Sequence, residues 1–177
     1  MKHLLLVLAP LMLIHSPEIA SAQPDTTVCR GTTLSVGWNI VSLPVIVADP
    51  SAMANFGVPY VYEFILEPWI GYRLVDRLEF GRSYWMKSDA NRSVCFEGRA
   101  KYSDTVDVHS GWNFIGSLSR GFLPDTSTVH VIPSGSVSPH VIGLICDPGP
   151  CPVLPGWGFV ARITSDAPDP KLVMISR

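Results

Sequence analysis

The chain has 177 residues, 47 % of them hydrophobic and 16 % charged, with a formal net charge of −2. So neutral a chain lacks the basic stripe that displaces counterions from nucleic acid, and polybasic adhesion to a membrane is disfavoured on the same ground. Its 16 prolines and 14 glycines are spread along the sequence.

The first 22 residues read as a secretory signal peptide. Lys2 supplies the positive flank, Leu4 to Ile14 is an apolar run interrupted only by Pro10, and Ala20-Ser21-Ala22 offers small residues to a signal peptidase. Cleavage after Ala22 would leave Gln23 to Arg177. The run is far shorter than the ~20 residues needed to span a bilayer, and Gln23 rather than a cysteine would stand at the new terminus. No later stretch is long and apolar enough for a stable membrane span. The expected location is therefore secreted or extracytoplasmic, in a periplasm or on a cell surface.

All four cysteines, Cys29, Cys95, Cys146 and Cys151, lie beyond the leader. An even number in an exported chain reads as disulfides. Three pairings are open. Cys146–Cys151 is favoured because Asp147-Pro148-Gly149-Pro150 is a turn sequence that brings its ends together, which leaves Cys29–Cys95. A metal site is disfavoured, since there is no Cys-x-x-Cys pair and no histidine nearby.

Beyond the leader, apolar residues nowhere recur at helical spacing over three turns. Short runs rich in Val, Ile, Tyr, Phe and Trp alternate with Gly, Pro, Asp and Ser instead, which predicts an all-β protein, sandwich or barrel-like. Gln23 to Thr27 reads as a lead-in. A strand is expected over Thr32 to Val36, a turn at Gly37, and a strand from Trp38 to Val45, with Trp38 and Ile40 on one face and Val41 and Leu43 on the other. Both faces are apolar, so both are expected to be covered. The Asn39 amide is expected to cap nearby backbone groups. Ala48 to Gly57 reads as a looser segment. Val58 to Leu66 and Tyr72 to Phe80 read as strands joined by a hairpin connection at Glu67 to Gly71, and Ser83 to Lys87 and Arg92 to Glu97 as two more, the last closed by Gly98.

Gly111-Trp112-Asn113 then repeats Gly37-Trp38-Asn39, the tryptophans 74 positions apart (112 − 38). Self-similarity at such a distance predicts one structural unit used twice. Leu34 and Val108 match before the turn. Leu154 to Phe159 matches Glu79 to Tyr84, with Gly156 and Gly81 75 apart (156 − 81). Strands are expected at Thr105 to His109, Trp112 to Leu118, Thr128 to Ile132, Val141 to Cys146, Gly158 to Thr164 and Lys171 to Ser176. The boundary is placed between Gly98 and Ser103, giving units over 23–102 and 103–177 that either stand apart or pack into one body.

The order Leu34, Gly37 to Pro44, an aromatic-rich hairpin, then Leu78, Gly81 and Tyr84 to Lys87 resembles the Gly-Trp-Asn repeat modules of secreted and cell-surface multidomain proteins of bacteria and archaea. The first unit matches over nearly its whole length. The second departs from the pattern where Gly116, Ser117 and Leu118 replace Ser42, Leu43 and Pro44, and where Phe159-Val160 replaces Tyr84-Trp85. The resemblance implies a β-rich extracellular accessory module and carries over no catalytic residue.

The side chains offer little chemistry. His109, His130 and His140 fall into no ligand spacing, and Ser134-Gly135-Ser136 is not the Gly-x-Ser-x-Gly turn of hydrolases. No catalytic residue, cofactor or metal is therefore expected. Glu63, Glu67, Asp76 and Glu79 could supply the two carboxylates of a glycosidase, but Arg73, Arg77 and Arg82 share the region, and ion pairs account for the set more simply. Trp38, Trp85 and Trp112 are expected in the core. Trp69 and Trp157 stand in turns and are the candidate ligand-binding residues, able to stack on a sugar or anchor a partner. The expected role is a non-catalytic scaffold for binding, adhesion or structure, its partner a surface protein or glycan. A carbohydrate-binding module is the alternative, and a secreted hydrolase ranks third.

Overall fold

The computed structural model describes residues 26–65, 70–124, 128–132, 135–140 and 152–176. The leader, Trp69, Glu67, Cys146, Cys151 and the strand expected at Val141 to Cys146 lie outside these residues. The described chain is almost entirely β. Its elements in order are β1 (Thr27–Leu34), β2 (Gly37–Ser42), β3 (Val45–Ile46), α1 (Ala52–Phe56), β4 (Val61–Ile65), β5 (Gly71–Val75), β6 (Ser83–Ser88), β7 (Arg92–Ala100), β8 (Ser103–Asp107), β9 (Gly111–Ile115), β10 (Val129–Ile132), β11 (Ser136–His140), β12 (Phe159–Thr164) and β13 (Lys171–Ile175). Among the described residues, no helix is long and apolar enough to cross a membrane.

The strands form four antiparallel sheets, ordered β1-β7-β3, β2-β6-β4-β5, β10-β13-β8 and β11-β12-β9. In the first half β1 pairs with β7 and β2 with β6; in the second, β8 pairs with β13 and β9 with β12. Each half has a core to which both of its sheets contribute. Leu34, Val45 and Phe96 meet Val41, Val61, Tyr84 and Met86 in the first. Val129, Leu172 and Met174 meet Ile115, Phe159 and Ile163 in the second. The inner faces of two small sheets thus pack against each other, as in a sandwich.

The turn into β2 follows from two residue types. Gly37 and Gly111 take φ of 98° and 105°, a region open to glycine at no steric cost. Beside them the Asn39 amide donates to Ser35 O (2.8 Å) and Gly37 O (3.0 Å), while its carbonyl accepts from Ser35 N (2.9 Å). Asn113 does the same with His109 O (2.8 Å), Gly111 O (3.1 Å) and His109 N (3.0 Å). The capping role expected of Asn39 is what the structure shows.

Cys29 and Cys95 are disulfide-bonded, with Cα atoms 5.7 Å apart. The bond ties edge strand β1 to β7 diagonally, since Cys95 lies opposite Gly31 and Cys29 opposite Glu97. With a sequence separation of 66, the chain-entropy model gives it about 4 kcal/mol.

Several expectations are corrected. Trp38, Trp85 and Trp112 are not core residues: Trp38 and Trp112 are 56 % and 45 % exposed, and Trp85 is half-buried. The β2 turn places Asn39 and Val41 inward, so strand alternation sends Trp38 outward, where it stays open to solvent although Ile40, on the same side, is buried beside Gly158 of the second half. Ala48 to Gly57 is not merely loose. It holds α1, capped by Ser51 Oγ, which accepts from Ala54 N (3.1 Å), and ended by Gly57 in the left-handed region, whose N–H donates to Met53 O (2.9 Å). Thr27 begins β1 rather than ending a lead-in. The strand from Tyr72 stops at Val75 rather than Phe80. Gly98 does not close its strand, because β7 runs on to Ala100 and pairs there with β3. Ser136–His140 form β11, a strand not among those expected.

The halves meet through reciprocal contacts. Ser42 N donates to Gly156 O (2.9 Å), and Gly116 N donates to Gly81 O (2.8 Å). The bridges Val41 with Trp157 and Ile115 with Arg82 are reciprocal in the same sense. At the centre the buried Ser42 and Ser117 hydroxyls lie 3.0 Å apart, and Ser117 Oγ accepts from Gly156 N (2.8 Å).

Candidate binding face and junction cleft

The outward face of β2, β6, β4 and β5 carries a run of aromatic rings. Strand alternation puts Trp38 on β2, Trp85 on β6, Tyr62 and Phe64 on β4 and Tyr72 on β5 to the same side. Register places Ile40 and Tyr62 opposite Trp85, and Phe64 opposite Tyr72. The rings meet edge to face: Trp38–Tyr62 at 5.5 Å and 67°, Trp38–Trp85 at 6.3 Å and 89°, Tyr60–Tyr62 at 6.4 Å and 87°. Such pairs hold one another rigidly and contribute beyond their buried area. Trp38, Tyr62, Tyr72 and Trp85 line an open, almost wholly apolar concavity of about 510 Å³. Trp38, Tyr60, Tyr72 and Leu74 are exposed, Tyr72 to 48 %. Contiguous exposed aromatic rings of this kind are a feature that interaction surfaces share.

The aromatic run crosses to the second half. Phe64 stacks on Phe114 of β9 at 4.9 Å and 27°, and Tyr72 touches both, at 5.6 and 6.4 Å. Beyond these rings lies a second cavity of about 240 Å³ at the junction of the halves. Glu63, Arg82, Asp107 and His109 supply its charged and titratable lining, between Phe64 and Phe114.

Ion pairs engage Glu63, Arg82 and Asp107. Glu63 accepts from Arg73 Nε (3.0 Å) and lies 3.9 Å from Arg82 Nη1; Arg82 Nε donates to Glu79 (2.7 Å); Lys171 donates to Asp107. The hydrogen bond from Lys171 holds the Asp107 carboxyl below its ordinary range, and Asp107 in turn raises the Lys171 ammonium. Glu63 likewise raises Arg73. The ion pairing expected for this acidic group is present across strands at Glu63, opposite Arg73, and locally, three residues apart, at Glu79.

Of the two turn tryptophans, Trp69 lies outside the described residues. Trp157 is half-buried, and its backbone belongs to the junction: its N–H donates to Leu154 O (3.0 Å) and its carbonyl accepts from Ser42 Oγ (2.9 Å). Sequence reasoning missed Trp38, Tyr62, Tyr72 and Trp85 as a surface group. The signal was there in the alternation of Tyr60, Tyr62 and Phe64 along one side of the strand expected at Val58 to Leu66. Among the described residues, no group of three His, Cys, Asp or Glu side chains could hold a metal ion. No protein-family model, curated protein or solved structure matches the chain.

Proposed function

We propose that the protein is an exported, non-catalytic β-scaffold that binds an extracytoplasmic glycan on the aromatic face of β2, β6, β4 and β5. The observation that carries this reading is the concavity lined by Trp38, Tyr62, Tyr72 and Trp85. Rings fixed by their neighbours and still open to solvent offer apolar faces to the C–H faces of sugar rings at little entropic cost. The leader-like first 22 residues and the Cys29–Cys95 bond support an oxidising, extracytoplasmic setting. The matched glycine turns, asparagine caps and strand pairings of the two halves support a duplicated unit of the Gly-Trp-Asn type. A glycosidase would need a protonated carboxyl beside its base. Here Asp107 is held ionised by Lys171, and Glu63 is engaged by two arginines.

Trp38→Ala removes an exposed ring and leaves both cores intact. On an array of immobilised glycans, the purified wild-type protein should bind at least one, and Trp38→Ala should bind it at least tenfold more weakly at unchanged melting temperature. Equal binding by both proteins would refute the assignment of the face. A second reading, a surface protein adding a strand at the β5 edge, rests on exposed Tyr72 and Leu74 at that edge. It predicts that no glycan is retained.

A further inference from the structure

The junction cavity opens beside the aromatic face, and its chemistry is of a different kind. Its lining charges and their ion-pair partners balance: Arg73, Arg82 and Lys171 stand against Glu63, Glu79 and Asp107. An anionic ligand would meet two carboxylates in the lining, and a cationic one would meet the Arg82 guanidinium. A neutral polyol meets no such conflict. Each of its hydroxyl groups both donates and accepts, and the cleft offers acceptors on Glu63 and Asp107 beside a fork of donors on Arg82. Glu63, largely buried, is held by Arg73, so the acceptor on that side of the cleft needs little ordering on binding. Phe64 and Phe114 add an apolar wall. At about 240 Å³ the cavity is smaller than the ~300–1,000 Å³ sites that enclose drug-sized ligands, and it suits one ring-sized group. Tyr72 connects the two places, since it lines the concavity and touches both phenylalanines.

We infer that the cleft is a hydroxyl-reading subsite for one sugar unit of a neutral saccharide chain whose other units lie on the aromatic face, with Glu63, Arg82 and Asp107 as the residues that set specificity. This rests on the glycan reading of that face. It adds that the ligand is uncharged, that it spans both halves of the molecule, and that the second half contributes through Asp107 and Phe114.

The test is titration calorimetry on the full exported chain with four probes: the hexasaccharides of β-1,4-linked glucose, N-acetylglucosamine and mannose, and hexagalacturonate as the charged control. At least one neutral hexasaccharide should bind, and hexagalacturonate should not. Asp107→Asn and Arg82→Gln should each weaken the bound hexasaccharide at least tenfold. The trisaccharide of the same sugar, too short to cover both places, should bind Asp107→Asn as it binds wild type. The Asp107 side chain is exposed, so that variant keeps the fold, and a thermal melt of each protein verifies it. Loss of hexasaccharide affinity in Trp38→Ala but in neither cleft variant would overturn the subsite and leave the aromatic face standing. Tighter binding of hexagalacturonate than of any neutral chain would overturn the neutrality argument. Failure of all four probes would overturn the subsite and return the aromatic face to the protein-partner reading.

Discussion

Single side chains set the geometry here by closing hydrogen bonds that strands leave open. Asn39 and Asn113 each satisfy three backbone groups at the entry to a strand, work that would otherwise fall to water. Tyr84 plays a comparable part deeper in the first half. It is almost fully buried, and its hydroxyl oxygen accepts from Glu79 N (2.8 Å). Burial raises the phenol from 10.0 to about 12, against the lowering effect of that hydrogen bond. The sign of the resulting pH dependence follows. Below pH 10 the phenol is protonated in folded and unfolded chains alike, and its contribution is complete. Between pH 10 and about 12 the unfolded chain releases the proton while the folded chain holds it, so stability falls, by roughly 3 kcal/mol across the window. Urea unfolding at pH 9 and pH 11.5 should show this loss in wild type and much less of it in Tyr84→Phe. That variant should also lose about 1–2 kcal/mol at neutral pH by leaving Glu79 N–H without its acceptor. Equal alkaline losses in both proteins would place the titrating group elsewhere.

At the scale of strands, the sequence shows what alternates but not which side faces in. The all-β class, the turns at Gly37 and Gly111 and the Cys29–Cys95 bond were legible, because each rests on local chemistry: residue alternation, φ and amide capping, and the turn sequence between Cys146 and Cys151 that left the other two cysteines to pair. The inward side of β2 was not. Trp38 is more apolar than Asn39, so a hydrophobic ranking puts the ring inside. The glycine turn demands the amide beside it, and the ring goes to the surface. The aromatic face stayed hidden for the same reason. Gly98 was misread on equally local grounds, as a strand terminator. Its actual role is close approach: a Cβ there would lie 2.4 Å from Ile46 O, a backbone atom of β3. Gly98→Ala should therefore push β3 away from β7 and cost about 1–3 kcal/mol. Gly31→Ala, on the neighbouring strand with its nearest contact at 3.7 Å, should cost less than 1 kcal/mol. Chemical denaturation of the two variants checks the contrast, and similar losses would mean that β3 yields freely.

At the scale of the molecule, the two halves hold separate cores yet share a junction in which backbone hydrogen bonds between small residues lie beside the Phe64–Phe114 stack. Reciprocal hydrogen bonds, Ser42 to Gly156 and Gly116 to Gly81, require close backbone approach, and small residues permit it. Gly158 is the tightest point. A Cβ there would lie 2.1 Å from Ser83 Cβ and 2.5 Å from Ile40 Cγ2, and Gly158 N donates across the junction to Ile40 O (3.2 Å). Ile40 and Ser83 lie on β2 and β6 of the first half, whereas Gly158 immediately precedes β12 of the second. Gly158→Ala therefore strains both halves at once, at about 1–3 kcal/mol. If the halves unfold together, near-ultraviolet ellipticity and far-ultraviolet ellipticity should shift by the same amount in the variant, in one transition. The clash is with the Cβ of Ser83, so Ser83→Gly should recover part of the loss when combined with Gly158→Ala, although it is destabilising alone. A favourable coupling energy of that kind identifies the contact. Two separated transitions, with only the second half destabilised, would instead make the junction a loose tether, and a cleft built across it could not hold a ligand in fixed geometry.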